Sequence, residues 1–329
     1  MQKIRENIWV TDMVLNEVED FLFEWDSDSE VITTHTSGST GSPKQIKLPK
    51  NGLCYSARNT IQFFNLNENS QALLCLPLNT IGGKMMIIRA IESKMNLLID
   101  KSSSNPLRDR DENFDFIAVT PMQLTNILKE SLDQVSQIKS ILVGGAPMSE
   151  QVISQLSSEK ITVFHGYGMT ETASHVAIKK VGFDSDVFYT AMPGIYFSYG
   201  ESQTLKIHYP ALQEEPIVTT DLVELVDEQR FKWLGRNDFT VNSGGVKIQV
   251  EEIENQLTKF IEHPFFVFGI PDEYLGEKLI LCIESSTKNI QFDFDFLGIK
   301  KPREVFFLDN FVYTESQKID RKATVNLLK

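Results

Sequence analysis

Residues 36–44 read TSGSTGSPK, eight small, hydroxylated or turn-forming residues leading into a lysine with almost no apolar side chain among them. A packed core is not built this way. Gly38, Gly41 and Pro43 shape a backbone that can come close to a ligand. Thr36, Ser37, Ser39, Thr40 and Ser42 offer short hydroxyl donors to anionic oxygens, and Lys44 adds a cation. The pattern suits a polyphosphate. A strand-like run, residues 31–34, precedes it, and Leu53, Ala57, Thr60, Ile61 and Phe64 follow at helical spacing, so the loop is expected to join a strand to a helix. The same composition would also suit a solvated Ser/Gly loop, and the rest of the chain has to decide between the two.

The phosphate loop of mononucleotide hydrolases requires glycine before the lysine and a hydroxyl after it. Pro43 and Gln45 stand there, which excludes it. The net charge of −13 argues against broad nucleic-acid binding, so any phosphate site must be local. Cys54, Cys75 and Cys282 are isolated and odd in number, without a CxxC pair, which suggests neither a disulfide framework nor a zinc site but three reduced thiols in a cytoplasmic protein. The N-terminus has no apolar signal core, and no run is long enough to anchor the chain in a membrane. A homo-oligomer is left open.

The 329 residues suffice for about two domains. Val14, Val18, Phe21 and Trp25 form one helical stripe, that of a packing helix. Apolar runs at 72–76, 96–100, 116–120, 140–143 and 162–164 then alternate with helix-length segments, two of which carry start signals at Pro121 and Ser149. This alternation predicts an α/β fold, a largely parallel sheet wrapped by helices. Residues 102–113, SSSNPLRDRDEN, read as a polar, mobile loop. From about Tyr189 the texture becomes β-rich, with a hairpin turn at 227–230, and suggests a small attached β layer. After Arg236 a third texture of glycine pair, strand and helix begins. We therefore expect an N-terminal domain over 1–237 and a small mobile α+β C-terminal domain over 238–329.

Four further segments carry chemistry. HGYGMTETA, residues 165–173, follows an apolar run; SILVGGAP, residues 140–147, ends in a glycine turn; TTDLVEL and LGRND place Asp221 and Arg236; and VYTESQKIDRKA, near the end, contains Lys318. Read singly, each has a plain alternative: a capped strand-to-helix turn, a common αβ loop, an ordinary turn aspartate, a solvated charged tail. In order, with TSGSTGSPK, they resemble the motifs of the AMP-forming adenylating enzymes, the superfamily of acyl-CoA synthetases, peptide-synthetase adenylation domains and luciferases. The resemblance covers nearly the whole chain.

That resemblance implies ATP, Mg2+ and coenzyme A as ligands. It assigns Thr36, Ser37, Gly38, Ser39, Thr40, Gly41 and Lys44 to the ATP phosphates, and Gly144, Gly145 and Ala146 to the adenine site. Tyr167 and Gly168 would flank the base, Thr170 would meet the nucleotide phosphate, and Glu171 would hold magnesium. Asp221 and Arg236 would hold the ribose, Asp238 would be the hinge, Gly244 and Gly245 would face the pantetheine channel, and Lys318 would be the catalytic lysine. Thr220 and Gln317 stand where the superfamily usually has glycine. A further match, CLPLNTIGGKMMIIRAI at 75–91, resembles the o-succinylbenzoate CoA ligases of menaquinone synthesis, with Thr80 in place of their usual histidine. A substrate carrying a second carboxylate would need a cationic wall, for which Lys84, Arg89 and His175 are candidates alongside Thr80, each with surface solvation as the alternative. Only 35 residues precede the phosphate loop, fewer than in ordinary members, so the front looks trimmed. An adenylating enzyme for another acid or for a carrier-protein acceptor, and a nucleotide-binding protein that has lost catalysis, remain as alternatives.

Overall fold

The computed structural model describes residues 1–36, 44–261, 263–287, 294–313 and 319–328. Its largest element is a thirteen-stranded sheet. Strands Ile8–Val10, Asn96–Ile99, Gln71–Leu74, Phe116–Val119, Ile141–Val143 and Thr162–Met169 lie side by side in that order, all parallel. Their residues alternate between two hydrophobic clusters: Ala72, Leu74, Phe116 and Leu142 face one way, Leu73, Ile117, Ile141 and Val143 the other. Helices cover both faces, so the strands read as continuous apolar runs, as a parallel sheet buried on both sides requires.

The start signals hold. Thr120 caps helix Pro121–Glu130 in a capping box with Gln123, and Ser149 caps helix Glu150–Ser158. Each such cap is worth about 1 kcal/mol. The polar segment 102–113 departs from its expected looseness: Leu107 is buried, and buried Asn105 donates to Ser131 Oγ at 2.9 Å. One apolar and one amide side chain fix a stretch that composition alone marks as free.

From Thr162–Met169 onward the pairing turns antiparallel, through Ser174–Gly182, Tyr189–Ala191, Arg230–Arg236, Ile217–Asp227, Thr204–His208 and Tyr196–Tyr199. The expected β-rich part thus continues the main sheet edge to edge, and the turn at 227–230 closes the hairpin as read from the sequence. The chain leaves this sheet at Arg236, makes a single 3-10 turn, Asn237–Phe239, and enters a separate five-stranded sheet with its own helix Val250–Leu257 and its own core around Val241, Ile253, Val267 and Leu281. Strands Thr240–Ser243 and Val246–Gln249 are joined by Gly244 and Gly245 at φ 60° and 81°, the pair of positive φ values that a type I′ hairpin turn demands. The segment VFGIPDEYLGE forms another hairpin, Phe265–Asp272 with Gly276–Glu284, in which Asp272 Oδ1 accepts from the backbone N–H of Tyr274 and Leu275.

Candidate active site

The phosphate-loop motif is flanked by two paired strands. Val31–Thr36 pairs antiparallel with Lys44–Pro49, in register from Thr36 opposite Lys44 to Val31 opposite Pro49, and the helix starts only at Lys50. This corrects the expected strand-to-helix connection: KQIKLP alternates polar with Ile46 and Leu48, and the period of two pairs it with VITTHT. Ser37, Gly38, Ser39, Thr40 and Gly41 lie outside the described residues; Lys44 is exposed, opposite Thr36 at the end of the strand pair where those residues connect the two strands. The hairpin packs against the 3-10 turn Thr170–Thr172, so two motifs far apart in sequence meet.

That turn is built under constraint. Strand Thr162–Met169 leaves the parallel sheet, turns through Thr170–Thr172 and returns antiparallel as Ser174–Gly182. Thr172 Oγ1 accepts from Met169 N at 2.9 Å and donates to Ser174 O at 2.6 Å. Ala173 and Ser174, neither of them glycine, stand at φ 55° and 93°, a conformation that costs about 1–3 kcal/mol per residue and clusters at functional sites. Gly168 admits no side chain, because a Cβ there would lie 2.1 Å from Ser174 O. The constraint leaves Thr170 and Glu171 half-buried, beside the hairpin.

Next to this turn the antiparallel strands deliver the ribose candidates. Tyr167 donates its phenol to Asp221 Oδ2 at 2.6 Å and Trp233 Nε1 donates to Oδ1 at 3.0 Å. Burial, and then the Asp221 charge, push the Tyr167 phenol well above its ordinary pKa, so it remains a donor. A carboxylate offers about four acceptor sites, so capacity remains on Asp221 for two hydroxyls. Arg236 lies directly across from Asp221 and donates to Thr220 Oγ1 at 3.2 Å, which gives the threonine in the glycine position a defined partner. Trp233 has no place in the sequence reading; only the strand register reveals it.

The glycine turn is pinned by a residue to which its motif assigned no role. His165 Nε2 lies 3.1 Å from Ala146 O and its Nδ1 lies 2.7 Å from Tyr189 Oη. A carbonyl only accepts, so Nε2 carries the proton and Nδ1 accepts from the phenol. Burial, assisted by Lys179, lowers the His165 pKa to about 4 and keeps this neutral tautomer in place. Gly145 and Ala146 are exposed, and nothing lies within 4 Å of where a Gly145 Cβ would stand.

The acid-pocket candidates separate sharply. Thr80 caps helix Ile81–Ser93, accepting from Gly83 N at 3.2 Å and donating to Pro77 O at 2.6 Å. Lys84 donates to Thr33 O at 2.9 Å and lies 3.9 Å from Glu24, tying that helix to the hairpin. Arg89 is 1% exposed, far from the solvated state weighed as its alternative, and has no carboxylate partner among the described residues. Its Nε is unpartnered, its NH1 meets Met86 Sδ at 3.6 Å and its NH2 meets Ser174 Oγ at 3.5 Å. Burial alone lowers its pKa to about 9. His175, also buried, contacts Thr60 Oγ1 at 3.3 Å and Ser174 Oγ at 3.5 Å, and burial with the Arg89 charge lowers its pKa to about 3.

A family model for AMP-binding enzymes matches residues 10–195, more than half of the chain, which includes the hairpin strands, helix Ile81–Ser93 and the Thr170–Thr172 turn and ends before Asp221. The chain belongs to the AMP-binding enzyme family. Among solved structures this AMP-binding enzyme is similar to an AMP-forming acyl-CoA synthetase/AMP-acid ligase II-like protein from Dyadobacter fermentans, with 33% identity, TM-score 0.65, and coverage of 100% of this chain and 97% of that one. It is 25% identical to the 2-succinylbenzoate–CoA ligase of Staphylococcus epidermidis, over 95% of this chain and 73% of the relative. It shares the fold of the o-succinylbenzoate coenzyme A synthetase of Bacillus subtilis in complex with ATP and magnesium, at TM-score 0.77 and 20% identity over 89% and 69% of the two chains. The enzyme thus groups with AMP-forming acid–CoA ligases, whose reaction uses ATP, Mg2+ and coenzyme A.

The remaining site residues lie beyond the Arg236 crossing. The Asp238 backbone is in the 3-10 turn between the two sheets, and Gly244–Gly245 forms its hairpin tip beside Leu275. Lys318 lies outside the described residues; Arg321, just after it, pairs with Glu254 at 2.9 Å. No group of three or more His, Cys, Asp or Glu side chains suited to a metal occurs among the described residues. No described helix is long and apolar enough to cross a membrane.

Proposed function

We propose that this enzyme couples a carboxylic acid bearing a second carboxylate to coenzyme A through an acyl adenylate, with o-succinylbenzoate as the leading substrate. The observation that carries the substrate class is Arg89. A fully buried guanidinium without a carboxylate partner is costly, and a substrate anion arriving at the Arg89–Ser174–His175 cluster would offset that cost. The names of the 2-succinylbenzoate–CoA ligases that the chain resembles support the same acid.

In the reading we favour, the acid's reacting carboxylate attacks the α-phosphorus of ATP, the bond to the β-phosphate bridging oxygen breaks, and pyrophosphate leaves. The TSGSTGSPK loop holds the departing phosphates, Asp221 and Arg236 hold the ribose, the 144–146 turn and Tyr167 hold the base, and Thr170 and Glu171 serve phosphate and metal. Magnesium fits this donor set, since it is ordinarily held by one or two carboxylates plus phosphate oxygens and water, not by a protein cage. Lys318 offsets the charge developing on the reacting oxygens. The C-terminal unit, residues 238–329, then turns about Asp238 and brings Gly244–Gly245 to the thiol of coenzyme A, whose sulfur attacks the acyl carbonyl and expels AMP.

The test is acid-dependent exchange of labelled pyrophosphate into ATP over a panel of mono- and dicarboxylic acids, with o-succinylbenzoate first. Coenzyme A and candidate carrier proteins are then compared as acceptors. Exchange with monocarboxylates alone would overturn the dicarboxylate reading, and absence of exchange with every acid would overturn catalysis.

A further inference from the structure

His165 and Tyr167 stand two positions apart on strand Thr162–Met169, and each holds a different half of the proposed nucleotide site. His165 Nε2 donates to Ala146 O at 3.1 Å on the base side, and Tyr167 donates to Asp221 Oδ2 at 2.6 Å on the ribose side. One further side chain touches both. Tyr189, on strand Tyr189–Ala191, has its Oη 2.7 Å from His165 Nδ1 and its ring centroid 5.7 Å from that of Tyr167. None of the motif segments contains it.

Tyr189 is itself held in place. It is buried, its ring stacks on that of Phe231 at 5.2 Å, and Phe231 meets the Tyr167 ring edge-on at 5.0 Å. The three rings form a closed triangle, so a shift of one displaces the others in a close-packed interior. The Lys179 ammonium lies 4.7 Å from the Tyr189 ring centroid, and Lys179 is the register partner of His165 on the neighbouring strand. Burial, with this charge, keeps His165 neutral. A neutral imidazole has one donor and one acceptor. The Ala146 carbonyl can only accept and so takes the donor, which leaves Nδ1 for a hydroxyl, and the Tyr189 phenol supplies it. Without that hydroxyl Nδ1 would be buried and unsatisfied, and the other tautomer, which turns a lone pair toward Ala146 O, would cost no more.

We infer that Tyr189 is a positioning residue for the nucleotide: through the His165 tautomer it fixes the 144–146 turn, through its contact with the Tyr167 ring it fixes Asp221, and it thereby holds the base-side and ribose-side grips at one separation. The inference rests on the proposed assignment of those two grips to ATP. It adds a source of base selectivity. A turn held rigidly fits one base edge and rejects another, whereas a turn free to shift accommodates both.

The test is equilibrium binding of ATP and of GTP to the full chain by titration calorimetry, for wild type, Tyr189→Phe, His165→Leu and His165→Gln. Tyr189→Phe keeps the ring and removes only the hydroxyl. It should weaken ATP binding about tenfold and GTP binding little, so that the preference for ATP falls by nearly that factor. His165→Leu should do the same. His165→Gln places an amide donor and an amide oxygen at the reach of the two ring nitrogens and should keep the preference. A role for Tyr189 in packing alone would lower the fraction of molecules that bind and leave the ratio of the two affinities unchanged. An unchanged ratio in Tyr189→Phe therefore overturns the inference, as does a wild type without preference for ATP, or a preference lost equally in His165→Gln and His165→Leu. In the wild-type chain, imidazole nitrogen shifts, assigned by their loss in His165→Gln, should show the Nε2–H tautomer of His165; a proton on Nδ1 overturns the inference even where a variant folds poorly. Binding needs no acid and no turnover. Absence of pyrophosphate exchange with every acid, beside a Tyr189-dependent preference for ATP, would sink the proposed ligase and leave the positioning role standing, whereas an unchanged ratio in an active ligase would sink that role alone.

Discussion

Tyr167 and Asp221, from two motifs 54 positions apart, share a 2.6 Å hydrogen bond that joins the YGMTE strand to the carboxylate proposed to hold the ribose. The bond fixes the carboxylate's orientation before a nucleotide arrives, and Trp233 fixes it from the other side. Tyr167→Phe should therefore leave folding nearly unchanged and raise the KM for ATP about tenfold, since a hydrogen bond to a charged group is worth about 1.5–3 kcal/mol. Asp221→Asn, which loses the charge both donors address, should raise it further. Steady-state kinetics with varied ATP, set beside thermal melts, tests the pair. An unchanged KM in Tyr167→Phe would show that Trp233 alone suffices.

Arg89 links stability and function with opposite signs. Its folded pKa is depressed by burial to about 9, so above that pH the native state holds less than its full proton while the unfolded chain keeps it, and the wild type gains stability as pH rises past about 9. At neutral pH the buried charge is a cost. Arg89→Met should raise the melting temperature of the ligand-free protein, on the order of 1 kcal/mol or more in stability, and remove the alkaline gain. It should also abolish acid-dependent pyrophosphate exchange while ATP binding persists. Loss of stability in Arg89→Met would mean that the guanidinium is a structural support.

The sheet alternation, the helix starts and the order of the nucleotide motifs were legible because each is written locally: in period, in a cap residue, in a glycine that cannot be replaced. Gly168 is the clearest case, since a Cβ there would stand 2.1 Å from Ser174 O on the returning strand. What could not be read depended on register or depth. KQIKLP looked like the lead-in to a helix because only Ile46 and Leu48 carry the period of two, and pairing with VITTHT supplies the rest. Trp233 and His165 act on partners, Asp221 and Ala146, that adjacent strands bring to them. The burial of Arg89 has no sequence signature, because arginine is a residue type that is almost never fully buried, whatever its neighbours.

Acid should move the two units in opposite directions. His165 and His175, with pKa values lowered to about 4 and about 3 by burial, bind fewer protons folded than unfolded below the ordinary 6.5, so the large-sheet unit loses stability as pH falls through that window. Glu251, raised to about 7, binds more protons folded than unfolded above 4.5, so the C-terminal unit loses stability as pH rises through its own window. Calorimetry from about pH 7.5 to about pH 5 should show one transition descending and the other ascending. Parallel shifts would rule out this division of titrating groups between the units.

The ion pair between Arg321 and Glu254 anchors the chain three residues beyond Lys318. Both groups are largely buried, so breaking the pair strands a charge and releases the segment that would present the lysine to the reacting carboxylate. Lys318→Ala should abolish pyrophosphate exchange yet leave transfer from a supplied acyl adenylate to coenzyme A largely intact. Arg321→Ala should act in the same direction less completely, because the ammonium remains but is no longer positioned; a loss of about 10²-fold is reasonable for misplacement alone. Rapid-quench measurement of the two half-reactions in both variants separates the cases. Equal loss of both half-reactions in Lys318→Ala would remove the lysine from the chemistry. An unimpaired Arg321→Ala would show that Lys318 is placed without this pair.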